Sequence, residues 1–280
     1  MFKILILQRF YNISDDHTEY AILDRLSFMR FLGLSLNDRV PDAKTIWLFR
    51  DRMTKAGLVE KRFKQLDDPL NKDGILVNMG KMVDASFVEV PIQRNSREEN
   101  EQIKQGSVPL EGSDSKRSQK DTDARWTIHN GKKFFGYKNH VKADTKTKLV
   151  TAYEVTPAHR HDSQLMAELI EEEDRGEPLY ADSAYRSETI ESHCTRMGVD
   201  SRIHEKGFRN KPLTKRQIKA NRKRSKVRAR IEHIFAFMEN SMNGMYLQYR
   251  SLGRVSTGIG LMNVTYHLFR MVQLDVTLQN

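Results

Sequence analysis

The sequence predicts an α/β fold, in which a mixed sheet is flanked by helices and preceded by a helical segment. Three features carry that prediction. Apolar residues recur at helical spacing from residue 1 to about 60. Alternating and β-branched stretches fill the centre from Gly80 to Thr156, and short apolar strands alternate with helices from Pro178 onward. The 280 residues allow one large domain, or a core domain with a smaller appendage. Hydrophobic residues make up 38% and charged ones 30%, which suits a globular protein with a real core.

Met1–Phe10 is apolar with no capping residue ahead of it, so the chain opens inside a helix. Asn12, Ser14 and Asp15 interrupt it, and Glu19–Leu32 follows as a second helix ended by Gly33. After a loop at Ser35–Pro41, Asp42 is placed to cap a third helix, Ala43–Ala56, with Ile46, Trp47, Phe49 and Met53. Short helices joined by a polar loop have two readings. One is a helix-turn-helix that reads DNA, the other a bundle packed on the main domain.

KMVDASFVEV, from residue 81, reads as a strand with Asp84 inside it, since Val83, Phe87 and Val88 carry the pattern past the acid. A carboxylate in mid-strand is costly unless paired, hydrogen-bonded or metal-bound. The bland reading is a strand-end residue bonding its own backbone. Residues 93–127 are polar and too long for an ordinary connection, so they form a mobile functional loop or a partly disordered one. Arg94, Arg97, Lys116, Arg117, Lys120 and Arg125, with Trp126 nearby, are either contacts for a nucleic-acid backbone or a solvated loop. Lys133–Ala143 and Lys148–Thr156, joined by the turn Asp144–Thr147, make a hairpin beside the Asp84 strand. HDSQLMAELIEEED then reads as a helix capped by Asp162 or Ser163. His159, His161 and Asp162 could ligate a metal, capping being the simpler reading.

Pro178–Ala181 is a short apolar strand that ends in Asp182, just before a helix starting near Ser187 and running through Met197. An acid at the carboxyl end of a strand is where such sheets place their chemistry. Asp200–His204 is a further strand. Thr214–Asn240 reads as one long helix whose Val227, Ile231, Ile234, Phe235 and Met238 face the core, with lysines and arginines opposite. Glu232 is the only acid between Leu213 and Ala236, and it is either a helix ion pair with Arg228 or a metal ligand. Ser256–Leu274 closes the chain as a core helix. Cys194, the single cysteine, excludes an intramolecular disulfide and a cysteine-based zinc site, and is expected in the core. The opening apolar run is too short for a signal peptide or a membrane span, so no membrane role and a cytoplasmic location are expected.

The net charge is +10, and it is localised: Arg202–Arg230 holds thirteen lysines and arginines against one acid, Glu205. A polyanionic partner follows. Asp84, Asp182 and Glu232 stand out as three acids on separate elements. Converging, they would suit a pair of Mg²⁺ ions, hard cations that together stabilise the attacking and leaving oxygens of a phosphoryl transfer. Surrounding cations would hold the phosphates in register. The order strand, hairpin, helix, strand, helix, strand, helix is that of a ribonuclease H-like fold.

The chain resembles a known family through MVDASFVEVPIQRNSREEN, FFGYKNHVKAD, HDSQ, LYADSAYRS, IHEKGFRNKPLT and RARIEHIFAFM. These are similar to transposases of bacterial insertion sequences in the DDE class, the group around the element called IS-five. The likeness runs from the first residues to about Arg270. It implies a helical N-terminal segment at residues 1–75, for DNA binding or packing, and a ribonuclease H-like catalytic domain at 76–280 with a polar loop at 93–127. It also implies metal-dependent hydrolysis at the terminal inverted repeats and strand transfer into target DNA, by a homodimer or higher assembly on double-stranded DNA. The family's acids fall on Asp84, Asp182 and Glu232, with two Mg²⁺ ions, or Mn²⁺, as cofactor. Its arginine four residues before the glutamate falls on Arg228. Arg224, Lys223, Lys226, Arg222 and Lys219 are the further DNA contacts expected on the basic helix. The chain departs from the signature at Ser225 and Glu239, where the related pattern has tyrosine and lysine, so Lys223, Arg224 or Lys226 are the expected substitutes. Members carry a segment ahead of the part matching Met1–Leu32, so a truncated copy or an internal start is expected here. Two other readings stay open: a catalytically inactive, truncated transposase-derived DNA-binding protein, and a stand-alone nuclease that hydrolyses without joining.

Overall fold

Six strands form one mixed sheet: β1 Lys81–Glu89, β2 Arg125–His129, β3 Lys132–Asp144, β4 Val150–Pro157, β5 Pro178–Tyr180 and β6 Asp200–Ser201. The computed structural model describes residues 1–72, 79–93, 95–105 and 120–278. The sheet order is β2-β3-β1-β5-β6, with β4 pairing the long β3. Pairs β1–β3 and β3–β4 are antiparallel, whereas β5 is parallel to β1 and β6 to β5. This is the ribonuclease H-like arrangement that the element order predicts, with β2 as an addition at one end. Gly136 permits the tight β1–β3 approach: its φ is +149°, and a Cβ there would lie 2.3 Å from the Val88 carbonyl oxygen.

Five helices precede the sheet: α1 Phe2–Tyr11, α2 Asp15–Asp24, α3 Leu26–Leu32, α4 Ala43–Lys55 and α5 Leu58–Lys72. Ser14 and Asp42 cap α2 and α4 by accepting the backbone N–H groups of His17 and Thr45. The helix expected over Glu19–Leu32 is two helices, parted at Arg25, whose backbone is extended and whose guanidinium lies over the Phe28 ring. Tyr20, Leu23 and Leu26 on these helices are exposed. The polar stretch 93–127 contains a helix with a full capping box, α6 Arg97–Lys104, and the start of β2. Arg94, Lys116 and Arg117 lie outside the described residues.

The remaining helices are α7 Met166–Leu169, α8 Glu188–Met197, α9 Lys215–Arg228, α10 Glu232–Ala236 and α11 Leu252–Leu278. The long basic helix is therefore broken. Backbone bonds from Ile231, Glu232, His233 and Ile234 reach back three residues instead of four, and a π turn follows at Phe237–Ser241. Tightening and then widening the coil lets Ile231, Ile234, Met238 and Met242 all bury completely. The predicted strand at Asp200–His204 pairs over two residues only.

Two apolar clusters sandwich the sheet. One joins α1, α4, α10 and α11 to Met82 and Val88; the other joins α7 and α8 to Val83, Leu179 and Ala181. Cys194 sits in the second, as expected. The N-terminal helices thus pack on α11 and share its core, with Phe10 stacked on Phe269 at 4.3 Å. Buried charge is paired where it occurs: Lys142, 1% exposed, donates to Asp174 and Glu171 at 2.7 Å. No helix among the described residues is long and apolar enough to cross a membrane.

His267 of α11 is fully buried against the Phe63 ring, and neither ring nitrogen has a partner. Burial pushes its pKa from 6.5 down to about 4. Between those values the unfolded chain binds a proton that the folded chain does not. The stability of the neutral ring is complete above pH 6.5 and declines as pH falls toward 4, by at most about 3 kcal/mol. Unfolding by urea at pH 7.5 and pH 5 should show this drop. His267→Leu is expected to keep the neutral-pH stability within about 1.5 kcal/mol and to flatten part of the decline. An unchanged decline in the variant would rule His267 out as its source.

Candidate active site

Asp84 lies in β1 opposite Val141 of β3, and on its other side β1 runs parallel to β5, with Met82 opposite Tyr180. Asp182 follows Tyr180 by two residues just past β5, as Asp84 follows Met82 in β1, and its charge reaches Asp84. Within β1, Asp84 lies on the face of Met82, because side chains alternate along a strand. Met82 and Tyr180 pack into the cluster containing Ile231 and Ile234, while Val83 and Ala181 pack into the opposite one. Asp182 also accepts the Ser183 N–H, capping a short 3₁₀ turn, Ser183–Tyr185. Glu232 reaches this face from the first turn of α10.

One guanidinium ties the acids to the basic helix. Arg228 Nη1 donates to Asp84 Oδ2 at 2.6 Å, and its Nη2 to Glu232 Oε1 at 3.5 Å. The other Asp84 oxygen accepts the Ala85 N–H at 2.9 Å. Burial nonetheless pushes the Asp84 carboxyl above its ordinary range. The Ala85 N–H and Arg228 work against that rise, and the charges of Asp182 and Asp162 add to it. Asp182 Oδ1 is 3.7 Å from His204 Nδ1, and His204 Nε2 is 3.4 Å from Ser225 Oγ. Burial lowers the His204 pKa, Asp182 opposes this, and Arg228 and Arg224 reinforce it.

Two further groups belong to this electrostatic neighbourhood. Tyr185 is 1% exposed, and its hydroxyl has no partner. Burial raises its pKa far above normal, and Asp84, Asp162 and Asp182 add to the rise. The signal was its place three residues after Asp182 in YADSAY. Asp162 is not a cap: His161 caps the turn Asp162–Gln164 by accepting the Ser163 N–H, and the Asp162 carboxylate accepts Lys138 Nζ at 2.7 Å. The helix expected from Asp162 is this 3₁₀ turn followed by the four-residue α7.

Among the described residues, no three acids, histidines or cysteines stand close enough together to hold a metal ion, the cluster of His159, His161 and Asp162 included. The donor set still suits a hard divalent cation. It offers carboxylate oxygens from separate elements, and burial, then the charges of Asp182 and Asp162, raises the Asp84 pKa, a rise that a bound cation would oppose. Coordination through Asp84 Oδ2 would require Arg228 to release that oxygen.

The basic helix divides its cations between two tasks. Lys219, Arg222, Lys223 and Lys226 are exposed and form no ion pair among the described residues. Arg224 donates to the Ile203 carbonyl at 2.7 Å and lies 3.5 Å from Glu205, so it anchors the helix together with Arg228. In the polar stretch, Lys120 pairs with Glu99. Arg125 donates to the carbonyls of Thr122, Ala124 and Ile103, so these two cations hold the segment together instead of facing outward. Arg97 remains exposed, with a loose 3.9 Å pair to Glu101, and Trp126 is half exposed on β2.

Residues 80–268 match the family model described as the transposase DDE domain, and residues 1–52 match the one described as a transposase domain, DUF772. No solved structure matches the chain. The first match takes in well over half of the sequence and every strand of the sheet. Carboxylates facing a cationic helix are thus set in a recognised transposase sheet, and the chain belongs to the DDE transposases of insertion sequences, enzymes that cut DNA and transfer its strands.

Proposed function

We propose that Asp84, Asp182 and Glu232 are the catalytic carboxylates of this transposase and that two Mg²⁺ ions, or Mn²⁺, are their cofactor. Its substrate is double-stranded DNA at the element's terminal inverted repeats, followed by target DNA, handled by a homodimer or higher assembly. Residues 1–75 serve as the DNA-binding or packing segment and 76–280 as the catalytic domain. The observation that supports this reading is the parallel β1–β5 pairing at Met82 and Tyr180, each two residues before one of the acids, where α9 passes β1 and β5. Members of the family work with divalent metal ions.

Bound at the carboxylates, such ions would supply Lewis-acid stabilisation of the phosphate and a more acidic attacking water or 3′-hydroxyl. The protein's own groups do the rest. Asp84 and Asp182 provide oxygen donors from a rigid sheet. Arg228, once displaced from Asp84 Oδ2, carries its charge to a phosphate oxygen within reach of both acids. The exposed cations of α9 bind the flanking backbone and fix its register.

Cleavage of a labelled duplex carrying the element's own end tests the assignment, with Mg²⁺ and with chelator. Nicking is expected to require the metal and to fall by at least about a hundredfold in Asp84→Asn and Glu232→Ala, with duplex binding retained. Undiminished nicking in either variant would remove that residue from the site. Tight binding with no nicking by any form would identify a DNA-binding remnant whose acids are idle. Replacing Lys219, Arg222, Lys223 and Lys226 together by glutamine is expected to lower the slope of log K against log salt by about 3 to 4. A slope that stays put would take α9 off the DNA.

A further inference from the structure

Away from the carboxylates, a cavity of about 390 Å³ opens between the N-terminal helices and the segment Tyr246–Arg250 that leads into α11. Its charges can be followed one by one. Arg50 donates through both Nη atoms to Asp15 at 2.7 Å and lies over the Tyr249 ring at 4.8 Å. Asp51 is held by Lys55 at 2.8 Å and Arg254 at 3.1 Å, and Asp16 is exposed to water. Arg9 and Arg250 are left with no carboxylate partner among the described residues.

For Arg250, which is exposed, that costs little. Arg9 is different. It is 5% exposed, its one hydrogen bond is a 3.4 Å contact from Nη2 to the Gly244 carbonyl, and its Nε is buried without an acceptor. Burial lowers its pKa, opposed only by the nearby Tyr249 phenol. A guanidinium keeps its proton at neutral pH, so a buried one calls for a counter-ion, and its planar fork of donors matches phosphate oxygens.

We propose that this cavity is an anion site that takes a phosphate group, with Arg9 and Arg250 as its ligands. A cavity of this size admits a phosphate with attached sugar or water. The same chemistry is offered by a DNA backbone phosphate and by free inorganic phosphate. The site shares no residue with the carboxylates and does not rest on their assignment.

Thermal unfolding of the full chain in inorganic phosphate, against sodium chloride of equal ionic strength, reads the site directly. Phosphate at about tenfold its Kd is expected to raise Tm by about 3 °C. The rise should shrink in Arg250→Ala and vanish in Arg9→Met. Arg250 is exposed, so its variant keeps the test sharp should Arg9→Met fail to fold. An equal rise in wild type and Arg250→Ala, or no rise at all, overturns the proposal. Duplex binding then separates the two sources. A salt slope reduced by about 0.9 in Arg250→Ala assigns the site to a DNA phosphate. An unchanged slope, beside the phosphate-specific rise in Tm, assigns it to free phosphate.

Discussion

Two carboxylates on parallel neighbouring chain segments, Asp84 within β1 and Asp182 just past β5, are the constraint from which the rest of this site follows. Asp84 is held within β1 and is largely buried, whereas the Asp182 side chain just past β5 is 49% exposed, and its charge adds to the rise in the Asp84 pKa. Burial and then the charge of Asp182 raise the Asp84 pKa, and positive charge close by works against that rise. Arg228 supplies it at 2.6 Å from Asp84, and the remaining cations of α9 extend the field outward. Acids on this side of the sheet thus favour a cationic helix across it.

The break in the basic helix has a related cause. An unbroken α-helix from Lys215 would turn about 100° at every residue and so fix Glu232 relative to its apolar stripe. Here three-residue backbone bonds tighten the coil at Ile231–Ile234, and the π turn at Phe237–Ser241 loosens it again. Ile231, Ile234 and Met238 reach full burial while Glu232 remains exposed on the side of Arg228. Irregular helical turns of this kind are frequent at functional positions, and this one joins a core-facing segment to a charge-bearing one without a loop between them.

What the sequence disclosed was governed by local rules. Asp84 was legible because the strand pattern continues past it, Asp182 because a short apolar strand ends at it, and Glu232 because it is alone among cations. The sheet order followed from the succession of elements. The division of labour among the cations did not. Arg224 and Arg125 look like any exposed arginine in sequence, yet each donates to carbonyls made available by partners about twenty residues away. Lys142 reads as one polar residue in an alternating strand, but it is buried on two acids some thirty residues downstream. The 93–127 stretch reads as a mobile or partly disordered loop because polarity hides a capping box as simple as Ser96 with Glu99. Pairing of this sort depends on which chain segments meet, and composition is silent on that.

The same distinction bears on how the N-terminal helices relate to the catalytic sheet. Taken as a sequence they look like a separable segment. In the folded chain, though, α1 lies along α11, Phe10 stacks on Phe269, and Asn12 donates to the Asn243 carbonyl. Asn243 precedes Met245, whose carbonyl accepts the N–H of Glu89 at the end of β1, the strand that carries Asp84. A load on α1 therefore has a short, packed route to the carboxylates. The cavity around Arg9 lies along that route, walled by α1 on one side and by the segment after Asn243 on the other. A counter-ion at Arg9 would tighten the contact between those walls, because it would compensate a buried charge that they share.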